Sequence, residues 1–190
     1  MNEKQGDLQN RSLCFFYMMK RGNLMKKVLI LSDTHMPKKG SALPDPVLSI
    51  LKDGVDYIIH AGDWTERAVY DELVRWAPVH GVKGNIETDN WAIELPEKKI
   101  VEIEKIKVAI VHGHLGKGKS TPDRAFRACC EDEVDLIVFG HSHMPYKEKR
   151  NGVLLFNPGS PTDKRREKQF SYGILTIDSS GFEINHSYFS

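Results

Sequence analysis

The sequence predicts an α/β fold in which two β-sheets pack face to face with helices on their outer sides. Two observations predict it: the first half of the chain alternates aliphatic, strand-like runs with amphipathic helical segments, and the second half is richer in hairpins. A third sharpens it. The aliphatic runs end repeatedly in Asp, Asn or His, and open α/β sheets place their sites beyond the carboxyl ends of the strands. With 190 residues there is room for one substantial core and no need of a second domain.

Residues 1–24 differ in composition from the rest of the chain, and Met25-Lys26-Lys27 before an aliphatic run makes a natural beginning. A poorly ordered extension is therefore expected over 1–24 and a single domain over 25–190. The stretch Leu13-Cys14-Phe15-Phe16-Tyr17-Met18-Met19 is short, comes after acidic residues and lacks a small-residue cleavage site, which argues against an export signal. Val28-Leu29-Ile30-Leu31 reads as a strand buried on both faces, ending in Ser32-Asp33-Thr34-His35. Pro44, Asp45 and Pro46 open a short helix to residue 52, and Tyr57-Ile58-Ile59-His60 is a second buried strand leading into Ala61-Gly62-Asp63. Thr65 is placed to cap a helix over 66–76, with Val69, Leu73, Val74 and Trp76 on one side.

A short strand over 79–82 runs into Lys83-Gly84-Asn85, where glycine permits a tight turn. Ile100-Val101-Glu102-Ile103 and Ile106-Lys107-Val108-Ala109-Ile110-Val111 form a hairpin whose second strand ends in His112-Gly113-His114. A glycine- and lysine-rich loop over 115–120 precedes a helix over 121–131, with Pro122 at an early helical position. Leu136-Ile137-Val138-Phe139 is a buried strand that leads into Gly140-His141-Ser142-His143. Strands around 153–156, 173–177 and 182–186 complete the chain.

Apolar residues make up 40% of the chain and charged residues 28%, with a formal charge of +1, so nothing global points to nucleic acid or an anionic membrane. No apolar run approaches the roughly 20 residues of a membrane span. Three cysteines, Cys14, Cys129 and Cys130, cannot form a paired framework and fit a reducing cytoplasm. A cytoplasmic protein without membrane attachment or specific nucleic-acid recognition is expected, with homo-oligomerisation left open.

Five strand ends or turns carry Asp33 with His35, Asp63, Asn85, His112, and His141 with His143. Residues two apart leaving a strand point the same way, so each such pair can converge on one place or on two neighbouring ions. Singly, each has an ordinary role as a turn former, helix cap or satisfied histidine. Gathered on one rim they are seven donors built from carboxylate, imidazole and amide. Without thiolates the set disfavours a structural zinc knot and suits Mn, Fe, Ni, Co or catalytic Zn. Seven donors exceed the needs of one ion, and two divalent ions sharing Asp63 are the economical solution. Such a pair, set against two carboxylates and a hydroxide, leaves a single positive charge to attract a phosphate. Ions about 3.5–4 Å apart acidify the water between them and hold attacking and phosphoryl oxygens in line. The predicted chemistry is phosphoester hydrolysis by a metal-bridging hydroxide.

Asp33-x-His35, Gly62-Asp63, Gly84-Asn85, His112-Gly113-His114 and Gly140-His141-Ser142-His143 resemble, in order, the five blocks of the calcineurin-like metallophosphoesterase superfamily. Asn157-Pro158-Gly159-Ser160 is similar to a later block of its small bacterial and archaeal phosphodiesterase branch, and the match spans residues 26–188. The resemblance implies a four-layer sandwich, two mixed β-sheets flanked by α-helices. It also implies a dinuclear metal-dependent phosphodiesterase for a small phosphodiester substrate, with manganese first among its metals and Ni, Fe, Co or Zn as alternatives. One ion would take Asp33, His35, Asp63 and His143, the other Asp63, Asn85, His112 and His141.

Many members place after the motif Asn a histidine that protonates the leaving group; here Ile86 and Glu87 stand there, where the small branch usually has Cys then Asp. Three sources of that proton stay open: His114, the candidate catalytic residue; water; or a leaving group good enough to depart unaided. Trp64-Thr65-Glu66 after Asp63 is a second departure, and it removes no ligand. Basic residues beyond the blocks, among them Arg124, Lys147, Arg150 and Arg165, either steer an anionic substrate or form solvated faces. The rival function is an interaction scaffold of the same fold with little or no catalysis; the full donor set speaks against it and Ile86 for it. Substrate choice would fall to the loops at 37–43, 88–95 and 115–120.

Overall fold

Aliphatic strands apolar on both faces must be covered on both, and here two sheets cover one another while helices and loops cover their backs. The computed structural model describes residues 25–87, 91 and 94–190. The extension expected over 1–24 lies outside the described residues.

In chain order the elements are β1 (Lys26–Leu31), α1 (Asp45–Lys52), β2 (Tyr57–His60), α2 (Arg67–Leu73), β3 (Val79–Gly81), β4 (Lys98–Ile103), β5 (Ile106–Val111), α3 (Thr121–Cys129), β6 (Leu136–Val138), β7 (Tyr146–Arg150), β8 (Val153–Asn157), β9 (Phe170–Asp178) and β10 (Gly181–Phe189). One sheet runs β10-β9-β1-β2-β3 and the other β4-β5-β6-β8-β7. Each contains a parallel triplet, β1-β2-β3 in the first and β5-β6-β8 in the second. Antiparallel strands complete both sheets: β9 pairs with β1 and β10 with β9, and β4 and β7 form the edges of the second sheet. Both sheets are thus mixed.

Strand alternation sorts the side chains into layers. Val28 and Ile30 face the second sheet and pack with Val108, Ile110, Val138 and Phe156 in an inter-sheet core. Leu29 and Leu31 face the other way, against Val47 and Leu51 of α1 and Val69 and Leu73 of α2. On the far side Ala109, Ile137 and Phe139 pack under Ala125 and Cys129 of α3. The order helix, sheet, sheet, helix matches the predicted sandwich, and Trp64, Phe139 and Phe156 are the largest fully buried side chains among the described residues.

Several local expectations need correction. Thr65 does not cap α2: Glu66 occupies that position without a side-chain cap bond, and Thr65 lies in the left-handed region in an isolated bridge with Met36. The helix ends at Leu73 rather than 76, since turns over 74–76 bring Pro78 beside Ile58 to start β3, leaving Trp76 40% exposed. Ser120 caps α3 by accepting from the Asp123 N–H, and that helix stops at Cys129. Strand β7 was absent from the expected elements. Its sequence Tyr146-Lys147-Glu148-Lys149-Arg150 is that of a charged edge, a composition that protects an unpaired ladder and hides the strand from apolar pattern reading. Among the described residues no helix is long and apolar enough to cross a membrane.

Candidate metal centre

Every donor-bearing segment begins where a strand of a parallel triplet stops: Asp33 and His35 after β1, Asp63 after β2, Asn85 after β3, His112 after β5, and His141 with His143 after β6. Continued pleating does not bring them together. Asp33, His35, Asp63, His141 and His143 all adopt left-handed backbone, with φ of 54°, 47°, 58°, 69° and 60°. Such a conformation costs a residue with a Cβ roughly 1–2 kcal/mol, and strain of this kind gathers where surrounding structure holds it for a purpose. Here it turns each chain sharply over the rim.

Backbone hydrogen bonds hold the turns. The N–H of Asp33 donates to Gly62 O (2.9 Å), that of His35 to Asp63 O (3.0 Å) and that of Gly140 to His112 O (3.0 Å). Two glycines allow the close approach. A Cβ at Gly84 would lie 2.0 Å from Asp63 Oδ1, and one at Gly140 would lie 1.8 Å from Ser32 Oγ.

The side chains form two adjoining donor sets. In the first, donor atoms of Asp33, His35, Asp63 and His143 all lie within 4.8 Å of one another, and the Nε2 atoms of His35 and His143 are 3.1 Å apart. In the second, Asn85 Oδ1 lies 3.1 Å from His112 Nε2 and 2.9 Å from His141 Nδ1, while Asp63 Oδ1 is 3.2 Å from His112 Nε2. Asp63 therefore faces both, its Oδ2 lying 3.5 Å from His35. The first set is mostly buried, and the second opens to solvent at Asn85.

This chemistry fits divalent ions. Asp33 and Asp63 are 0% and 2% exposed, and among the described residues no lysine or arginine pairs with either. Buried carboxylates without such partners are the usual surroundings of a metal. The imidazoles are also set as ligands: His112 Nδ1 donates to Ala61 O (2.7 Å) and His143 Nδ1 to Asp163 O (2.5 Å), leaving each Nε2 lone pair aimed inward. Burial holds His141 and His143 down to about 4, so both are neutral near pH 7. Burial pushes Asp33 up to about 7. For Asp63, burial is outweighed by the hydrogen bond and charge of His112, which hold it at about 2. Burial opposes a proton on His112 too, yet Asp63 and Asp33 raise its pKa.

Four supports had no role assigned from sequence. The Glu87 carboxylate accepts from the Trp64 N–H and, at 2.6 Å, from the Gly84 N–H, tying the Asp63 turn to the Asn85 turn. Asn157 donates to Gly140 O (2.8 Å), Ser160 Oγ donates to Asp33 O (2.7 Å), and Asp163 orients His143. The block Asn157-Pro158-Gly159-Ser160 was visible as a motif, and its buttressing task emerges only in three dimensions. Of the candidate steering residues, Arg124 is engaged with Gly113 O and Thr121, Arg150 with Asp123 and Glu148, and Lys147 with Ile184 O. They act within the fold. The loop expected over 88–95 lies largely outside the described residues.

A two-sheet sandwich with oxygen and nitrogen donors crowded at its parallel strand ends defines a candidate metal-binding α/β protein. The model of the calcineurin-like phosphoesterase superfamily domain matches residues 25–180, and the chain belongs to that superfamily. It is 35% identical over 149 residues to a probable metallophosphoesterase of Methanothermobacter thermautotrophicus, covering 78% of this chain and 84% of the relative. It is 37% identical over 136 residues to a probable metallophosphoesterase of Methanocaldococcus jannaschii, covering 72% of this chain and 68% of that relative. Among solved structures, vacuolar protein sorting 29 of Cryptosporidium parvum aligns with a TM-score of 0.71 at 20% identity, over 87% of this chain and 98% of that one. An archaeal phosphodiesterase aligns at 0.66 and 24%, over 86% and 99%. These two likenesses establish the fold.

Two outcomes are expected. Metal binding should tighten as pH rises from 6 to 8, because the protons on His112 and Asp33 must leave before either can donate a lone pair. Calorimetric titration with Mn(II) in buffers of different ionisation heat will show it, and a flat affinity with no proton release would contradict the assignment. Glu87→Gln leaves one acceptor oxygen for two N–H groups, and should weaken Mn(II) binding by about 10–100-fold while the far-UV circular dichroism is unchanged.

Proposed function

We propose that the chain is a dinuclear metal-dependent phosphoesterase hydrolysing phosphodiester bonds of small substrates. The observation that carries this reading is Asp63, one carboxylate with Oδ2 3.5 Å from His35 and Oδ1 3.2 Å from His112, so that each oxygen serves a different donor set. Asp33, His35, Asp63 and His143 would hold one ion, and Asp63, Asn85, His112 and His141 the other. Manganese leads the candidates, and Ni, Fe, Co and Zn suit the same donors. Bound there, the ions supply Lewis acidity toward a phosphoryl oxygen and lower the pKa of water toward neutrality, so no serine or cysteine nucleophile is needed.

The protein's own contribution is position. Left-handed turns, glycine contacts and the Glu87 carboxylate fix the donors before any substrate arrives, and preorganised groups need not rearrange during reaction. His114 stands on the rim of the second set, its ring centroid 5.2 Å from that of His112 and 6.2 Å from that of His141. Burial, then the charge of His112, lowers its pKa, so His114 would act as acid only through its imidazolium form and its help to the leaving group should fade as pH rises. Ile86 has no proton to offer, which leaves His114 as the side chain for that task.

The second reading, an interaction scaffold, is favoured by Ile86 and by the fold-level likeness to vacuolar protein sorting 29. Two buried carboxylates within the donor set favour catalysis, because a binding surface gains nothing from carboxylates it cannot expose.

Hydrolysis of bis(p-nitrophenyl) phosphate should be measurable with Mn, Ni or Co. The Asp63→Ala variant should lower kcat/KM by more than about 100-fold, beyond what changes around a ligand alone produce, and should reduce the content of both ions. Two filled sites with no turnover in any metal would move the assignment to the scaffold. Loss of the His114 imidazole in His114→Gln should slow a phenyl ester more than its p-nitrophenyl counterpart, by about tenfold, because a poor leaving group needs the proton more. Equal slowing would show that His114 contacts the phosphoryl group instead.

A further inference from the structure

An open cavity of about 240 Å³ lies against the His112–His114 turn, between the start of β4 and the side of α3. His112, a member of the second donor set, and His114 on its rim are among the lining residues, and Val111, Gly113, Leu115, Gly116 and Ala128 supply most of the rest. Two clefts elsewhere, around Trp76 and around Trp91, include no donor residue. Charge at the mouth is already engaged: Glu97 pairs with Lys83 at 3.2 Å, while Lys98 pairs with Asp132 at 2.7 Å and donates to Ala128 O. The wall is also fixed. Gly113 is left-handed, with φ of 93°, and Arg124 Nε holds its carbonyl at 2.9 Å.

We propose that this cavity receives the organic substituent of the phosphoester, a compact uncharged group of aryl size, while the phosphoryl oxygens lie at the donor sets. The inference rests on the phosphoesterase reading and adds the substrate class. Size limits the occupant: the cavity exceeds the roughly 150 Å³ that accommodates benzene and falls below the roughly 300 Å³ at which sites for drug-sized ligands begin. Apolar walls with paired charges favour a neutral ring, and a second anionic group there would lose its hydration without gaining a partner. With His114 in the lining, the bond between ring-bearing oxygen and phosphorus would lie beside the imidazole.

Binding of stable phosphonates to the Mn(II)-loaded full chain tests this by calorimetry, without reliance on turnover. Phenylphosphonate should bind about tenfold more tightly than methylphosphonate, and phosphonoacetate, with its charged substituent, no more tightly than methylphosphonate. Ala128→Phe, which narrows the cavity, should abolish the phenyl preference and leave methylphosphonate affinity unchanged. Equal affinities of the phenyl and methyl compounds for the unmodified protein would overturn the proposal even if the variant did not fold. So would a phenyl preference that survives Ala128→Phe. Failure of inorganic phosphate and all three phosphonates to bind would remove the phosphoesterase reading itself.

Discussion

Two carboxylates, Asp33 and Asp63, are buried at the meeting of two sheets with imidazoles and backbone N–H groups around them. Desolvating such groups costs several kcal/mol each, and the surrounding loops are organised to offset that cost. Ser32 donates to Asp33, the His141 N–H reaches both oxygens of the same carboxylate, and the Asn85 N–H donates to Asp63 at 2.9 Å. None of these contacts would be possible with a side chain at Gly84 or Gly140. The glycines, the left-handed turns and the paired sheets are therefore parts of one arrangement, whose function is to keep acidic oxygens close together and away from bulk water.

Much of the architecture could be read from the chain itself, since runs such as Val28-Leu29-Ile30-Leu31 must be covered on both faces and the helices between them carry a single apolar side. The donor residues were legible for a related reason: each falls where a buried run gives way to polar residues. Less visible were features that depend on contacts distant in sequence. Glu87 read as an acid in a loop, and its task became clear only once Trp64 and Gly84 were seen to share it. Asp163 meets His143 Nδ1 with its backbone carbonyl and, at 3.7 Å, with its carboxylate, a contact across 20 residues of which the sequence carries little trace. Strand β7 carries no apolar pattern because an edge strand is protected by charge rather than burial, and the end of α2 depends on where Pro78 enters the sheet.

The position after Asn85 illustrates how a site can lose one group and keep its frame. Ile86 offers no proton, yet Glu87 beside it continues to fasten two turns together, so framework and proton donor are separable. His114 stands on a turn locked by Arg124, its ring centroid 5.2 Å from that of His112, and is the proposed donor in place of the isoleucine. Three of the positive side chains that looked like a steering field, Arg124, Lys147 and Arg150, brace the fold, whereas the charge of Arg165 is felt at His35 and His143.

The inter-sheet core also acts as a spacer. Each donor set draws on both sheets: His143 from the second joins Asp33, His35 and Asp63 from the first, and His112 with His141 from the second join Asp63 and Asn85. The distance between the two halves is thus set by Val28, Ile30, Ile110, Val138 and Phe156, none of which touches a substrate. Packed aliphatic side chains have fixed thickness, so the layer works as a gauge block for the spacing of the donors, and trimming it would detune the site from beneath.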